Sequence, residues 1–199
     1  MTPSQPPAER LPVERQRCWW PGDDPLYVAY HDDDWGRPVT DERELFEKLI
    51  LDGAQAGLAW ITILRKRDGY RRAFEGFDPV RIAAYDEADV ARLLADPGIV
   101  RNRAKVNAAI GNARALLAMH ASGETLSELV WSHKPRKHRR PTGPDDIPAT
   151  SPEGDALSKA LKQRGFKFVG PTIVYAFMQA VGVVDDHVAR CFRASEMRR

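Results

Sequence analysis

The 199 residues are enough to bury a sizeable core, and 43% of them are aliphatic or aromatic against 29% that are charged. This balance is typical of a soluble globular protein. It excludes a membrane protein, because the apolar runs are too short to cross a bilayer, and the N-terminus lacks the hydrophobic segment of a secretory signal. We expect a cytoplasmic protein with a flexible proline-rich tail, 1–16, and a single domain, 17–199. The net charge of +2 is too small to indicate a partner.

Helical patterns follow one another along the chain after that tail. Thr40 or Asp41 can cap the first helix, and Gly53 is expected to end it. Asp78 followed by Pro79 is a typical helix start, and Asp86 opens the next helix. No segment alternates as a strand does, so we predict an all-α fold. The predicted helices cover 41–53, 58–67, 78–85, 86–96, 102–120, 124–131, 151–163 and 171–182.

A long loop, 133–152, interrupts the helices with five prolines and a run of basic residues. A loop of this length inside a compact domain is usually functional or disordered. One hypothesis is contact with nucleic-acid phosphates, and the other is a solvated loop whose charge has no specific role. The basic side chains are Lys134, Arg136, Lys137, Arg139 and Arg140.

The next segment predicts two helices joined by a short hairpin. Ser151 and Pro152 open the first helix, the connector FKFVG follows, and Pro171 starts the second. Backbone N–H groups at the start of the second helix would be unpaired and positively polarised, which suits a phosphate. Lys162, Arg164 and Lys167 surround this point. An ordinary αα-hairpin is the competing interpretation.

The two cysteines of the chain each have a histidine nearby: Cys18 with His31, and Cys191 with His187. The last two are spaced i, i+4, which predicts that they share one face of a helix. Thiolate and imidazole are ligands that Zn²⁺ prefers, and four of them close a tetrahedral structural site. Two buried thiols or a disulfide are alternatives, although a reducing cytoplasm disfavours the disulfide.

The order hairpin, helix, aspartate and histidine resembles the helix-hairpin-helix DNA glycosylases. In those enzymes the aspartate of a VDxHVxR segment is the catalytic carboxylate, which corresponds to Asp185. From about Cys18 to Cys191 the chain resembles the DNA-3-methyladenine glycosylase I family. The segments that carry this resemblance are CWWPGDDPLYVAYHDDDWG, QAGLAWITILRKRDGYRRAF, GNARALL and GFKFVGPTIVYAFMQAVG.

The resemblance implies a helix-hairpin-helix glycosylase fold that acts on double-stranded DNA containing alkylated bases. The expected enzyme is monomeric, flips out 3-methyladenine and hydrolyses its glycosidic bond, leaving an abasic site. It also implies one structural Zn²⁺ per chain, which would join the N- and C-terminal segments. The implied ligands are Cys18, His31, His187 and Cys191.

The resemblance further assigns the base pocket and the DNA contacts. Tyr30, Trp35 and Trp60 correspond to the family's pocket aromatics, and Asp52 to its pocket carboxylate, with a catalytic role. The loop 56–58 corresponds to the element that fills the gap left by the flipped nucleotide. The implied DNA-binding residues are Gly57 and Leu58 of this loop and Lys167, Val169 and Gly170 of the hairpin.

Two departures leave alternatives open. Asp52 is one methylene shorter than the family's glutamate, and Asp185 stands where an asparagine is usual. Asp52 could instead be a solvated acid at a helix end, Asp185 or Asp186 could cap a helix, and Asp185 could orient His187. A glycosylase for another altered purine and a non-catalytic damage-binding protein are therefore the competing functions. Pro171 and Thr172 occupy the usual place of a lyase lysine, which predicts a monofunctional enzyme.

Overall fold

The computed structural model describes residues 15–196, which form helices and no strand, as predicted. The tail prediction falls mostly on residues 1–14, which lie outside the described residues. No helix in the described part of the chain is long and apolar enough to span a bilayer. The α-helices are α1 (Pro25–Ala29), α2 (Glu42–Gln55), α3 (Trp60–Leu64), α4 (Arg67–Ala73), α5 (Pro79–Ala83), α6 (Glu87–Ala95), α7 (Arg103–Ala121), α8 (Leu126–Ser132), α9 (Pro152–Gln163), α10 (Pro171–Ala180) and α11 (Phe192–Glu196).

The start of α2 was predicted correctly, but its end was not. The carboxylate of Asp41 accepts hydrogen bonds from the backbone N–H groups of Arg43 and Glu44, both at 3.0 Å. Gly53 does not end the helix, which continues to Gln55. A Cβ at Gly53 would lie 3.2 Å from the Cβ of Phe168, so this glycine lets the hairpin approach α2 closely. The single helix predicted over 58–67 is also wrong, because α3 and α4 are separate.

The helix predicted for the C-terminal segment around His187 and Cys191 is wrong. His187 and Cys191 do not share a helix, because residues 185–188 have no regular structure and α11 begins only at Phe192. The backbone N–H of Ala189 donates to the carbonyl of Pro141 at 2.9 Å. Side-chain and loop contacts thus replace the local i to i−4 bonds that a helix would use. A helix N-cap role for Asp185 is excluded for the same reason.

The helices surround a main core, and a smaller cluster lies beside it. α2 packs against α7, α8 and α10, and α10 packs against α9. The largest fully buried side chains in the main core include Phe46, Phe74, Phe77 and Phe177. The smaller cluster combines residues from both ends of the described chain: Cys18, Tyr30, Trp35, Leu64, Ala180, Val188, Cys191 and Ala194. The pocket aromatics therefore lie beside the predicted metal ligands.

Candidate active site and metal-ligand cluster

A cavity of about 270 Å³ opens between the N-terminal segment, α2, α3 and α10. It brings together all four predicted pocket residues. The rings of Tyr30 and Trp60 have centroids 5.4 Å apart, and Trp20 lies edge-on to Trp35 at 5.1 Å. Trp20 was not predicted as a pocket residue, although it stands in the CWWPGDDP segment. These rings give the cavity the flat apolar walls that a planar ligand requires.

Asp52 is the carboxylate of this cavity. It lies in the last turn of α2 and is only 3% exposed, which contradicts the alternative of a solvated acid. Its Oδ1 accepts a hydrogen bond from Lys48 Nζ at 2.6 Å, while Oδ2 is buried without a partner among the described residues. Burial raises the pKa of Asp52, and the Lys48 ammonium opposes that rise. A buried acceptor without a partner costs free energy, and a ligand N–H group would remove this cost.

Lys48 is a cavity residue that the sequence reasoning missed. It lies one turn before Asp52 on α2, and its Nζ is 3.8 Å from the centroid of the Trp60 ring. Burial lowers the pKa of Lys48, and the charge of Asp52 opposes that shift. The i, i+4 spacing of the lysine and the aspartate in EKLILD could have indicated that Lys48 lies beside Asp52.

The four predicted metal ligands meet in one buried cluster. Their ligand atoms all lie within 4.8 Å of one another, although two of them do not share the predicted helix. Cys191 Sγ is 3.5 Å from His31 Nε2 and 3.6 Å from His187 Nδ1. The two thiols are free rather than joined by a disulfide. These four residues could therefore hold one metal ion.

The nitrogen of each histidine that faces away from the cluster has its own acceptor. His31 Nδ1 is 2.8 Å from the carboxylate of Asp32, which also accepts from Arg17 at 2.7 Å. His187 Nε2 lies 3.3 Å from the carbonyl of Trp35. Such acceptors fix the tautomer and leave the other nitrogen free to bind a metal. The pKa of the Cys191 thiol is lowered, first by its hydrogen bond with Cys18 and then by the two histidines.

Gly36 makes room for this arrangement. Its φ is +79°, and a Cβ at this position would lie 2.9 Å from His187 Nε2. Glycine adopts this backbone conformation without strain, whereas other residues do not. Gly36, in the DWG segment, thus lets the backbone next to Trp35 lie close to His187 of the metal-ligand cluster.

The loop 56–58, between α2 and α3, forms a tight turn at the same end of α2 as Asp52. Gly57 has a φ of +77°, and Leu58 is among the few exposed large hydrophobic residues of the described chain. Lys105 Nζ donates to the carbonyls of Ala54 and Ala56, both at 2.7 Å. The Gln55 side chain donates to the carbonyl of Leu58 at 2.7 Å. Polar contacts at the base of this turn therefore hold it in a conformation that leaves the apolar Leu58 side chain exposed.

The hairpin between α9 and α10 is held by side chains from outside the connector. Asn112, on α7, donates to the carbonyl of Lys167 at 3.0 Å and accepts from its N–H at 2.8 Å. Ser158 donates to the carbonyl of Val169 at 2.6 Å. The side chain of Lys167 is exposed, whereas that of Val169 is buried. A DNA contact by Val169 would thus have to use its backbone.

The basic loop is divided between paired and exposed charges. Arg140 forms an ion pair with Asp185, and His138 lies 2.9 Å from the carboxylate of Asp186. Asp185 also accepts from the N–H of His187 at 3.3 Å, and it is not among the residues that line the base cavity. The exposed basic residues of the loop are Lys134, Arg136, Lys137 and Arg139.

Asp186, which the sequence reasoning considered only as a cap, is the buried carboxylate of this segment. It accepts hydrogen bonds from the Tyr175 hydroxyl at 2.8 Å and from the Gln179 amide at 2.6 Å. Burial alone would raise the pKa of Asp186, but the bonds from His138, Gln179 and Tyr175 lower it overall. These contacts set the position of the neighbouring His187.

Comparison with known proteins finds similarity over nearly the whole described chain. The family model described as methyladenine glycosylase matches residues 20–194. The chain is 55% identical over 179 residues to DNA-3-methyladenine glycosylase 1 of Escherichia coli strain K12, covering 88% of this chain and 95% of that protein.

Solved structures agree with this match. A crystal structure of 3-methyladenine DNA glycosylase I superposes with a TM-score of 0.86 at 55% identity, over 89% of this chain and 98% of the other. A tyrosine-to-phenylalanine variant of 3-methyladenine DNA glycosylase I in complex with 3-methyladenine superposes with a TM-score of 0.83. It is 35% identical, over 88% of this chain and 96% of that one.

Proposed function

The chain belongs to the methyladenine glycosylase family, and we propose that it releases 3-methyladenine from alkylated double-stranded DNA by hydrolysis. The product DNA carries an abasic site. The single observation that supports the assignment of the pocket is Asp52, which lines a cavity walled by aromatic rings and whose buried Oδ2 has no partner among the described residues. We expect a monomeric, cytoplasmic enzyme.

The chemistry follows from the charge of the lesion. A base inside a duplex must be flipped out before its glycosidic bond is accessible. N3-methylated adenine is positively charged within DNA, so it is a good leaving group and needs no protonation by the enzyme. Tyr30, Trp35 and Trp60 offer π faces that attract a cation. Asp52 accepts from the amino edge of the base, and such charge-assisted bonds are the stronger kind. Water adds to the sugar C1′ as the bond to the base breaks.

The four clustered ligands fit one structural Zn²⁺. Two thiols and two imidazole nitrogens would complete a four-ligand structural set, which would leave no position for a reactive water. Cys18 and His31 come from the N-terminal segment, and His187 and Cys191 from the C-terminal one. The ion would hold Trp35, whose carbonyl faces His187, in place at the pocket wall.

DNA would contact three surfaces. Leu58, on the turn formed with Gly57, fills the gap left by the flipped nucleotide. Lys167 and the backbone of 169–170 bind phosphates without reading a base. The exposed charges of the loop 133–141 add nonspecific affinity.

Base release from methylated DNA tests the function. Purified protein is incubated with the DNA, and the released bases are identified by chromatography. Release of 3-methyladenine by the unaltered protein supports the proposal. Release of a different purine instead would favour a glycosylase for another altered purine. Tight binding to an abasic-site analogue without any release would identify a damage-binding protein.

A further inference from the structure

Lys48 stands between two cavities. On one side is the base cavity of about 270 Å³, and on the other is a second cavity of about 380 Å³. Lys48, Tyr30 and Trp60 line both. The long unbranched stem of a lysine lets its ammonium move by several ångströms without a change in the helix.

The ammonium of Lys48 contacts two groups that the proposed function assigns to the base. Its Nζ is 2.6 Å from Asp52 Oδ1 and 3.8 Å from the centroid of the Trp60 ring. A carboxylate and an indole face are also the two groups that would hold a positively charged base. Two cations at this distance repel each other strongly away from bulk water. A cationic base between the same two groups would therefore favour movement of Lys48 away from its observed position.

We propose that Lys48 is a specificity-determining residue that exchanges with the base. In the free protein its ammonium occupies the cation position between Asp52 and Trp60, and a positively charged base displaces it into the second cavity. The inference rests on the proposed function, since it assumes that the base cavity receives a cationic base.

The second cavity can accept the displaced charge. Its lining includes Asp34 and Glu47, which are paired with Arg67 at 2.6 Å and Arg71 at 2.7 Å. Glu44 also lines it and forms no ion pair with another described residue. Arg37, Arg67 and Arg71 line this cavity too, so its four carboxylates, which include Asp33, outnumber its arginines by one. Burial lowers the pKa of Lys48, and among the charges of this cavity Arg67 lowers it further while Asp34 raises it. The ammonium would thus move from one carboxylate towards others.

The exchange would make binding depend on charge. A cationic base replaces the ammonium beside Asp52, so the cavity keeps its charge balance. A neutral base offers Asp52 no positive charge and leaves Lys48 in place. Lys48 would therefore reduce the affinity advantage of a charged base over a neutral one, because only the charged base has to displace the ammonium.

The first test follows Lys48 itself by NMR. The probes are the 3,9-dimethyladeninium cation, whose 9-methyl group replaces the sugar, and 3-methyladenine at pH 8, where it is neutral. In the free protein the ε-protons of Lys48 should be shifted upfield by the Trp60 ring. Saturation with the cation should abolish this shift, and saturation with the neutral base should retain it. Equal displacement by both bases, displacement by neither, or failure of either base to bind would overturn the proposal.

The second test compares affinities. Lys48→Met removes the competing charge and keeps the length of the side chain, and we expect the cation-to-neutral affinity ratio to rise about tenfold or more. Lys48→Arg keeps a cation and should leave the ratio at or below that of the unaltered protein. Lys159→Met, at an exposed lysine outside both cavities, is the matched control. A ratio in Lys48→Met within twofold of the unaltered protein would contradict the exchange.

These tests and the test of the function can fail separately. Release of 3-methyladenine from DNA by the unaltered protein examines the function, whereas the binding of free bases examines Lys48. Neutral-base affinity and circular dichroism of Lys48→Met show whether the variant keeps a folded pocket.

Discussion

At the scale of single residues, the proposed base pocket depends on one carboxylate. Asp52 lines the cavity; its Oδ1 is paired with Lys48, and its Oδ2 is buried without a partner among the described residues. The side chain is shorter than the family's glutamate, but its burial near the end of α2 places it in the cavity wall. The distance that the Asp52 carboxylate extends into the cavity therefore depends on the position of α2 as well as on the length of the side chain.

We predict that Asp52→Asn abolishes most base release while folding and binding to undamaged DNA stay near normal, because the amide keeps the shape and removes the charge. Asp52→Glu should retain activity. Asp185→Asn is the matched carboxylate-to-amide control, since Asp185 pairs with Arg140 outside the cavity lining. It should remain active. Single-turnover base release separates chemistry from product release, and full activity in Asp52→Asn would remove Asp52 from the site.

The same carboxylate predicts a pH dependence. Burial raises the pKa of Asp52 above the ordinary value of 3.8, and only the ionised form attracts a cationic base. Base release should therefore fall as the pH drops through this raised pKa, at a higher pH than an exposed aspartate would give. A single-turnover pH profile measures this. A profile that is flat down to the ordinary value, or one that falls with rising pH, would contradict it.

At the scale of elements, the hairpin between α9 and α10 is positioned by helix α7. Asn112 bonds both backbone groups of Lys167. We predict that Asn112→Ala lowers the free energy of unfolding by about 1–3 kcal/mol, the cost of leaving buried groups unpaired, and weakens DNA binding. Asn107→Ala, at an exposed position of the same helix, is the control. Denaturant unfolding and DNA titration measure the two effects, and equal results for both variants would exclude this role of Asn112.

The loop 133–141 is predicted to bind phosphates through its exposed charges. Replacing Lys134, Arg136 and Lys137 with alanine should weaken binding about equally for all DNA sequences. It should also reduce the salt dependence by roughly one unit of slope for each phosphate that the variant no longer binds. An unchanged slope in a titration over salt concentration would assign these side chains to solvent. Arg140 is left out of the variant because its ion pair with Asp185 holds the loop.

At the scale of the whole molecule, the four-residue cluster joins the two ends of the described chain. We predict one Zn²⁺ per chain after gentle purification. Cys191→Ala should lose the metal and lower the melting temperature, because metal binding stabilises the folded chain. Metal analysis and thermal unfolding check this. Less than half an equivalent of zinc, or unchanged metal content and melting temperature in the variant, would contradict the prediction.

The family resemblance named the four clustered residues and the aromatic residues of the cavity, whereas the sequence by itself determined the all-α class and most helix starts. These depend on residue type and local spacing: Asp41 and Asp86 cap helices through their immediate neighbours. Cys18 and Cys191 are the chain's two thiols, each near a histidine. Spacing alone left a zinc site, two buried thiols and a disulfide open, and the resemblance named the four ligands.

Only the tertiary structure decided the geometry that long-range contacts control. His187 and Cys191 are spaced as on a helix, yet bonds from Tyr175, Gln179 and Pro141 hold their segment in an irregular path. Gly53 looks like a helix end, but α2 continues where Phe168 packs against it. The position of Lys48 between two cavities depends on aromatic rings from other segments of the chain. Local spacing carries no information on such contacts, because residues distant in the sequence make them.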